Sequence, residues 1–281
     1  MKRGAAASEP REPLGFAVHA PTRSETAVLV EIPHAGLEVP ASVRPALLVD
    51  DATLLRDADL YVDRLWERAP AHGATVLAAT VSRYVVDLNR APDDVDRDTV
   101  PDHPAPRPTQ SRGVVWRVTT DGRPALRGAM PYRELARRID AWHAPYHSML
   151  EELLAKKRAR FGHVIAVAAH SMPSKARDGA RRADVVPGTR GRTSADPAVI
   201  DVVDRHFRAA GLSVRHDDPY RGGWSTTRYG RPAEGVHFVQ IELSRALYVD
   251  EATSTPNEGA MRRLSVLLGE LVDALGELRL S

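Results

Sequence analysis

The sequence contains no cysteine. This absence excludes disulfide bonds, cysteine nucleophiles and metal sites built on thiolates, so a metal site would have to use histidine and carboxylate ligands. A chain without disulfides fits a cytoplasmic protein, and we expect that location.

Long hydrophobic runs are also missing. No stretch of about 18 apolar residues occurs, so we expect no membrane-spanning helix. The N-terminal MKRGAAASEPREPLG begins with basic residues, but no apolar segment follows before Pro10 and Arg11. We therefore expect residues 1–25 to be a disordered or loosely attached leader rather than a secretory signal, and residues 26–281 to form a single domain.

The chain has little net charge, with 39 basic and 37 acidic residues giving +2. The densest basic cluster, between Lys175 and Arg192, also contains Asp178 and Asp184. We therefore expect no nucleic-acid partner. The expected partner is a small molecule, and the sequence does not indicate an oligomeric state.

Apolar, β-branched runs alternate with segments of helical spacing along most of the chain. The predicted strands cover 26–32, 74–81, 84–88, 114–120, 163–170, 212–216 and 236–243. The predicted helices cover 52–70, 131–161 with a break or kink at Pro145, 197–210 and 257–279. This alternation is typical of an α/β layered fold around a largely parallel sheet.

Polar side chains follow or end several of these strands. His34 comes after TAVLVEI, Asn89 and Arg90 follow YVVDL, His170 ends HVIAVAAH, and Glu242 lies within VHFVQIEL. Ligands of open α/β sheets bind beyond the carboxyl ends of the strands. These residues from four distant segments therefore predict one site.

Two of these residues, His34 and His170, occupy the same topological position and predict a metal site. A turn histidine bonded to backbone is the alternative for each of them. Because cysteine is absent, the third ligand should be a carboxylate. Asp59 is favoured, while Asp57 and Glu38 remain alternatives.

Glu242 and Arg83 are the candidate catalytic residues. An ionised carboxylate inside an apolar strand costs several kcal/mol unless it is paired, so Glu242 is either a general base or half of an ion pair, for instance with Arg245. Arginine binds carboxylates bidentately and can stabilise an oxyanion, which suits Arg83 and Arg90. The alternative is ion pairing with Asp87 at a sheet edge.

Two other patterns resemble catalytic motifs but are incomplete. His143 and His147 have the spacing of a zinc pair, yet they lack the glutamate of H-E-x-x-H, and we expect them to pack or to line a pocket. Ser171 lies in AHSM rather than in a G-x-S-x-G turn, so it is not expected to be a nucleophile.

Six short motifs together resemble those of the N-formylglutamate amidohydrolase family. In chain order they are IPHAG, D-x-D-x-x-V-D-R-L at 57–65, SRYVVDLNR, AHSM, DPYRGG and QIELSRALYVDE. The resemblance covers about residues 28–253. It implies a three-layer α/β/α sandwich with a mixed, mostly parallel sheet of the phosphorylase/hydrolase-like kind, related to zinc carboxypeptidases and aspartoacylase-like deacylases.

The resemblance also implies a metal centre. One zinc ion, or another divalent metal, would be held by His34, Asp59 and His170. Carboxypeptidase-like enzymes use H-x-x-E, and this sequence departs from that pattern because Leu37 stands in place of the glutamate.

The remaining roles follow from the same resemblance. Glu242 would act as general base and then as proton donor, and Arg83 would polarise the scissile carbonyl. Asn89 and Arg90 would hold the α-carboxylate of the substrate. A glycine-rich loop would close over the substrate; its candidate residues are Gly222 and Gly223.

The implied reaction is hydrolysis of an N-formyl amino acid, N-formyl-L-glutamate above all, to formate and the free amino acid. One alternative is hydrolysis of another N-acyl amino acid or a short peptide. The other is a non-catalytic ligand-binding protein on the same fold.

Overall fold

A six-stranded mixed sheet forms the centre of the protein. The computed structural model describes residues 13–108 and 111–280. The strands are β1 (Phe16–His19), β2 (Val28–Ile32), β3 (Thr75–Ala79), β4 (Val164–Met172), β5 (Val185–Gly188) and β6 (Val236–Ser244), in the order β1-β3-β2-β4-β6-β5. The four inner strands are parallel, and both edge strands are antiparallel to their neighbours. The sheet is therefore mixed and mostly parallel, as expected.

Seven α-helices accompany the sheet in the described part of the chain. They are α1 (Asp51–Asp57), α2 (Val62–Leu65), α3 (Tyr132–Arg138), α4 (Ala144–Phe161), α5 (Pro197–Ala209), α6 (Trp224–Tyr229) and α7 (Glu258–Gly276). A π-helical turn, Ile139–His143, joins α3 to α4. A two-stranded ribbon, β7 (Val249–Asp250) with β8 (Thr255–Pro256), precedes α7.

Side chains of the inner strands alternate between two hydrophobic cores. Val28, Val30 and Ile32 of β2 contribute to the core that contains the apolar faces of α2, α5 and α7. Leu29 points to the opposite core, which contains the apolar residues of α3 and α4. Both faces of the sheet are thus covered, which explains why its parallel strands are apolar without alternation. The predicted three-layer α/β/α sandwich is confirmed.

The predicted helix over 52–70 is wrong in its middle. Helix α1 ends at Asp57, and Ala58 has extended backbone angles. The Arg245 guanidinium donates to the carbonyl oxygens of Arg56 at 2.8 Å and Ala58 at 2.5 Å, while the Asp59 N–H donates to the His34 carbonyl at 3.0 Å. These tertiary hydrogen bonds replace helical ones. Asp59 therefore lies in the break between α1 and α2, not on a helix face.

Several predicted strands also differ from the structure. Residues 84–88 form a turn, and segments 114–120 and 212–216 make only isolated bridges. Conversely, β5 lies in a segment for which no strand is predicted, because VVPG is too short to give a clear pattern.

The N-terminal segment takes part in the sheet. Strand β1 lies within the predicted leader, 1–25, and pairs with β3, so residues 16–19 are attached to the fold. Residues 1–12 of the leader lie outside the described residues. Within the described residues, no helix is both long and apolar enough to cross a membrane.

Candidate active site and metal centre

His34, Asp59 and His170 lie together at the carboxyl end of the parallel strands. His34 follows β2, His170 lies near the end of β4, and Asp59 occupies the break between α1 and α2. All three are at most 5% exposed, and their ligand atoms lie within 4.8 Å of one another. This buried group could hold a metal ion.

The donor atoms of this group have the spacing of a metal site. His34 Nδ1 lies 3.2 Å from His170 Nδ1 and 3.6 Å from Asp59 Oδ2, and His170 Nδ1 lies 2.8 Å from Asp59 Oδ2. Ligands at the usual zinc distances in a tetrahedron are separated by about 3.3 Å. Two imidazole nitrogens and one carboxylate oxygen at these distances could hold a metal ion.

The outward nitrogen of His34 is also held. His34 Nε2 lies 2.7 Å from Asp87 Oδ1, and Asp87 in turn accepts hydrogen bonds from the Trp116 indole at 2.9 Å and the Asn89 backbone N–H at 2.9 Å. This carboxylate fixes the His34 ring so that Nδ1 faces the other ligands, as is usual for metal-binding histidines.

Nearby charges and burial shift the pKa values of these groups. Burial alone would raise the Asp59 pKa, but Arg83, His170 and His34 hold it well below its usual range. Burial and Arg83 act to lower the His34 pKa, yet Asp87 and Asp59 raise it overall. Asp59 is therefore ionised and suited to bind a cation.

Glu242 lies next to this group. It pairs with His170 in the register between β6 and β4, and it lines the same cleft. The Gln240 amide donates to Glu242 Oε1 at 2.9 Å. Burial raises the pKa of Glu242, against the opposing effect of His170. A carboxyl with a raised pKa beside a metal group suits proton transfer near neutral pH.

Arg83 lies close to two carboxylates of the site. Its Nη2 lies 3.9 Å from Asp59 Oδ1, and its Nε lies 4.0 Å from Asp87 Oδ2. The guanidinium is stacked 4.8 Å from the centre of the Trp116 ring. Its Nε is buried without a hydrogen-bond partner among the described residues, so a donor remains available next to the metal group.

Asn89 and Arg90 have different surroundings. Asn89 Oδ1 accepts the Ser225 backbone N–H at 3.0 Å, which turns the amide nitrogen toward His170 Nε2 at 3.1 Å. Arg90 has a side chain 40% exposed, lines the cleft, and lies 3.9 Å from Asp94. Asn89 thus contacts a metal ligand, whereas the Arg90 guanidinium is accessible.

Gly223 approaches Asn89 directly. A Cβ at this position would lie 2.2 Å from the Asn89 amide nitrogen, so no larger residue fits. The Gly223 N–H donates to the Gln240 side-chain oxygen at 2.8 Å. Gly222, with φ +105°, lines the cleft beside it. The glycine-rich loop therefore forms one wall of the cleft.

The other carboxylate candidates face elsewhere. Both oxygens of Asp57 accept hydrogen bonds, from Arg56, Tyr84 and Thr120. Glu38 is exposed and accepts from Thr80.

The remaining candidates are structural. His143 Nε2 and His147 Nε2 bond to the backbone carbonyls of Arg90 and Leu88, both at 2.9 Å, and so support the Asn89 segment from below. Burial lowers the His147 pKa to about 3, which keeps it neutral. Arg245, a proposed partner for Glu242, instead bonds backbone carbonyls and Ser171 Oγ, and its guanidinium lies 3.9 Å from Asp59.

Sequence reasoning missed two contributors to the site. Asp87 was considered only as an ion-pair partner of Arg83, although a carboxylate shortly before Asn89 was a usable signal. Gln240, which joins Glu242 to Gly223, gives no signal in sequence because its partners are brought together only by the register of β4 and β6 and the packing of the glycine loop.

The site opens into a cleft of about 920 Å³. Its lining includes nine arginine or lysine side chains and five carboxylates. This excess of positive charge favours anionic ligands.

Comparison with known proteins identifies the family of the chain. The sequence profile of the N-formylglutamate amidohydrolase family matches residues 26–249. An N-formylglutamate deformylase of Pseudomonas aeruginosa is 36% identical over 82% of this chain and 84% of its own. One from Pseudomonas putida is 33% identical over 88% of this chain and 91% of its own.

Solved structures give the same result. The crystal structure of an N-formylglutamate amidohydrolase from Ralstonia eutropha superposes with a TM-score of 0.87 at 32% identity, covering 94% of this chain and 98% of its own. A gene product of Agrobacterium tumefaciens shares the fold, with a TM-score of 0.71 at 22% identity over 94% of this chain and 95% of its own. The chain belongs to the N-formylglutamate amidohydrolase family.

Proposed function

We propose that this protein hydrolyses N-formyl-L-glutamate to L-glutamate and formate, with one zinc ion as cofactor. The observation that carries this proposal is the buried group of His34, Asp59 and His170 beside Glu242, in a cleft rich in arginine. The curated relatives bear the name N-formylglutamate deformylase, which supports the same substrate.

His34 Nδ1, His170 Nδ1 and Asp59 Oδ2 would hold the metal. When bound, a divalent ion supplies Lewis acidity toward a carbonyl oxygen and lowers the pKa of a coordinated water. Two histidines, one carboxylate and an open position are the usual ligand set of catalytic zinc sites, which favours zinc over magnesium or calcium.

Glu242 is the proposed general base. Its raised pKa lets it take a proton from the attacking water and return that proton to the nitrogen of the leaving amino acid. The bond between the formyl carbon and this nitrogen breaks, and water supplies the second oxygen of formate. Gln240 holds one Glu242 oxygen, which leaves the carboxyl oriented during both transfers.

Arg83 is the proposed stabiliser of the developing oxyanion. Its unpartnered Nε is buried among the site residues, where a hydrogen bond to a charged oxygen is strong. Arg90 is the proposed ligand of the α-carboxylate, because its guanidinium is accessible in the cleft. Asn89, Gly222 and Gly223, which line the cleft, would contact the substrate.

A substrate panel tests the proposal. The purified protein is assayed with N-formyl and N-acetyl derivatives of glutamate, glutamine and leucine, with and without a chelator, and its metal content is measured. We expect N-formylglutamate to be the best substrate, with activity lost on chelation and restored by zinc. A protein that hydrolyses none of these amides, or that keeps full activity without metal, would contradict the proposal.

The organisation as one domain over 26–281 and the cytoplasmic location stay predictions. The proposed substrate is a small molecule, and neither nucleic acid nor a membrane is needed for this reaction.

A further inference from the structure

Two arginines of the cleft converge on one backbone oxygen. Arg112 Nη2 donates to the Thr120 carbonyl at 3.2 Å and to the Thr119 carbonyl at 2.6 Å. Arg177 Nη2 donates to the same Thr120 carbonyl at 2.9 Å. The two guanidiniums come from different loops, so their meeting is a feature of the fold and not of local sequence.

This arrangement brings two like charges together on one backbone oxygen. Within the described ranges, neither arginine forms an ion pair with a carboxylate. Burial and the charge of Arg177 lower the pKa of Arg112, against the opposing effect of the nearby Asp57 carboxylate. Two adjacent guanidiniums without a carboxylate partner are a favourable site for an anion.

A buried carboxylate fixes the oxygen on which the arginines meet. Asp57 accepts hydrogen bonds from the Thr120 backbone N–H at 3.0 Å and from the Thr120 hydroxyl. Asp57 is itself 2% exposed and is held by Tyr84 and Arg56. Because both its oxygens are engaged by these groups, Asp57 positions Thr120 and forms no ion pair with either Arg112 or Arg177 among the described residues.

The Trp116 ring contacts both Arg112 of this pair and the proposed catalytic residue Arg83. The guanidinium of Arg83 lies 4.8 Å from the centre of the Trp116 ring, and that of Arg112 lies 5.6 Å from it. The guanidinium carbons of Arg83 and Arg112 are therefore within about 10 Å of each other. In extended N-formylglutamate, five bonds or about 6 Å separate the formyl carbon from the side-chain carboxylate carbon. One molecule can contact both arginines.

We propose that Arg112 and Arg177 bind the side-chain carboxylate of a dicarboxylic N-formyl amino acid and so select glutamate over neutral residues. This inference rests on the proposed function and deepens it. Arg90 would take the α-carboxylate, so the two carboxylates of the leaving amino acid would be bound by separate groups.

The test compares Arg177→Gln with the unaltered protein on two substrates. Arg177 is exposed and donates one hydrogen bond, so the variant should fold. N-formylglutamine is the matched substrate, because it has the same shape as N-formylglutamate and lacks the side-chain charge. We expect the KM for N-formylglutamate to rise about 10- to 100-fold with kcat changed only a few-fold, and the KM for N-formylglutamine to change much less.

Lys175→Gln is the control variant. Lys175 lies on the same loop, lines the same cleft and is exposed, so its loss removes one positive charge without touching Thr120. We expect a change of less than about threefold in KM from general electrostatics. Arg177→Lys should recover part of the affinity. A KM increase equal for both substrates, or equal in Lys175→Gln and Arg177→Gln, overturns the inference while leaving the proposed function intact.

Calorimetric binding of glutarate keeps the inference testable without turnover. Glutarate carries two carboxylates and no amide, so its binding does not depend on the proposed reaction. We expect binding by the unaltered protein that weakens about tenfold or more in Arg177→Gln. Absence of binding, or equal binding by both proteins, overturns the inference; lack of hydrolysis with retained glutarate selectivity instead contradicts the proposed function alone.

Discussion

The two buried glutamates Glu242 and Glu31 lie in the same sheet but have different surroundings. Both are inner-strand residues, and burial raises the pKa of both. Glu242 pairs with His170 and lines the cleft. Glu31 pairs with Ala168, two residues deeper along β4, and is fully buried.

The partners of Glu31 come from the helical layer. Its Oε1 accepts the Ser225 hydroxyl at 2.8 Å and the Tyr146 hydroxyl at 3.2 Å, while Oε2 has no hydrogen-bond partner among the described residues. A charged residue in an apolar strand therefore does not by itself indicate catalysis. The face and the depth of the residue in the sheet decide its role.

The largest expected effect is a loss of activity on substitution of Glu242 but not of Glu31. Glu242→Gln keeps the size of the side chain and removes the base, so we expect kcat to fall about 10²- to 10⁴-fold, as is typical when a general acid–base group is lost. The measurement is turnover of N-formylglutamate together with metal content, which should be unchanged.

Glu31→Gln is the matched control for that variant. It makes the same chemical change two residues deeper, outside the cleft, and we expect kcat to stay within a few-fold of normal. Near-normal turnover by Glu242→Gln, or an equal loss in both variants, would remove the distinction between the two glutamates.

Burial also explains which of these residues could be predicted from the sequence. The inner strands were predictable because burial on both faces makes them continuous apolar runs, and His34, His170 and Glu242 were visible as polar residues in or after such runs. Glu31 gives the same signal within TAVLVEI but was not singled out, since its partners Ser225 and Tyr146 are distant in sequence.

The break at Asp59 was not predictable for a related reason. Residues 52–70 have apolar residues at helical spacing. The helix ends there because of hydrogen bonds from Arg245, about 190 residues away in sequence, and from the Asp59 N–H to the His34 carbonyl. Meetings between distant loops, such as that of Arg112 and Arg177 at Thr120, are equally invisible to local patterns.

The second-largest effect concerns the pH dependence of stability at Glu31. Burial raises the Glu31 pKa from 4.5 to about 7, so the folded carboxyl keeps its proton after the unfolded one has lost it. The contribution of Glu31 to stability is thus complete below the unfolded pKa and is lost as pH rises through the folded pKa. The loss should be about 3 kcal/mol between pH 4.5 and pH 8.

Glu31→Gln isolates this contribution. Glutamine stays neutral, so the difference in the free energy of unfolding between variant and unaltered protein should shift by that amount in favour of the variant as pH rises. Urea titrations at the two pH values, at matched metal content, measure it. A difference independent of pH would show that Glu31 is not the group responsible.

A smaller effect is expected from Ser225→Ala. The Ser225 hydroxyl lowers the Glu31 pKa more than any other hydrogen bond to that carboxyl, and its removal should cost about 1 kcal/mol at pH 5 and about 2 kcal/mol at pH 8, where the carboxylate is ionised. The hydrogen bond from the Ser225 backbone N–H to Asn89 is kept in this variant, so we expect kcat to stay unchanged, and it serves as the control. A loss of kcat comparable to that of Glu242→Gln would mean that the Glu31 region is coupled to catalysis.

The smallest effect is expected from Tyr146→Phe, which removes the second hydroxyl that bonds Glu31. The Tyr146 hydroxyl donates to Glu31 over 3.2 Å, a longer hydrogen bond than that of Ser225, and its removal should cost about 1 kcal/mol at pH 8 and less at pH 5. The loss must grow with pH, because this hydrogen bond favours the ionised form. The loss could instead shrink with pH while Ser225→Ala behaves as expected. In that case the Tyr146 hydroxyl favours the protonated carboxyl, and the two hydroxyls shift the Glu31 pKa in opposite directions.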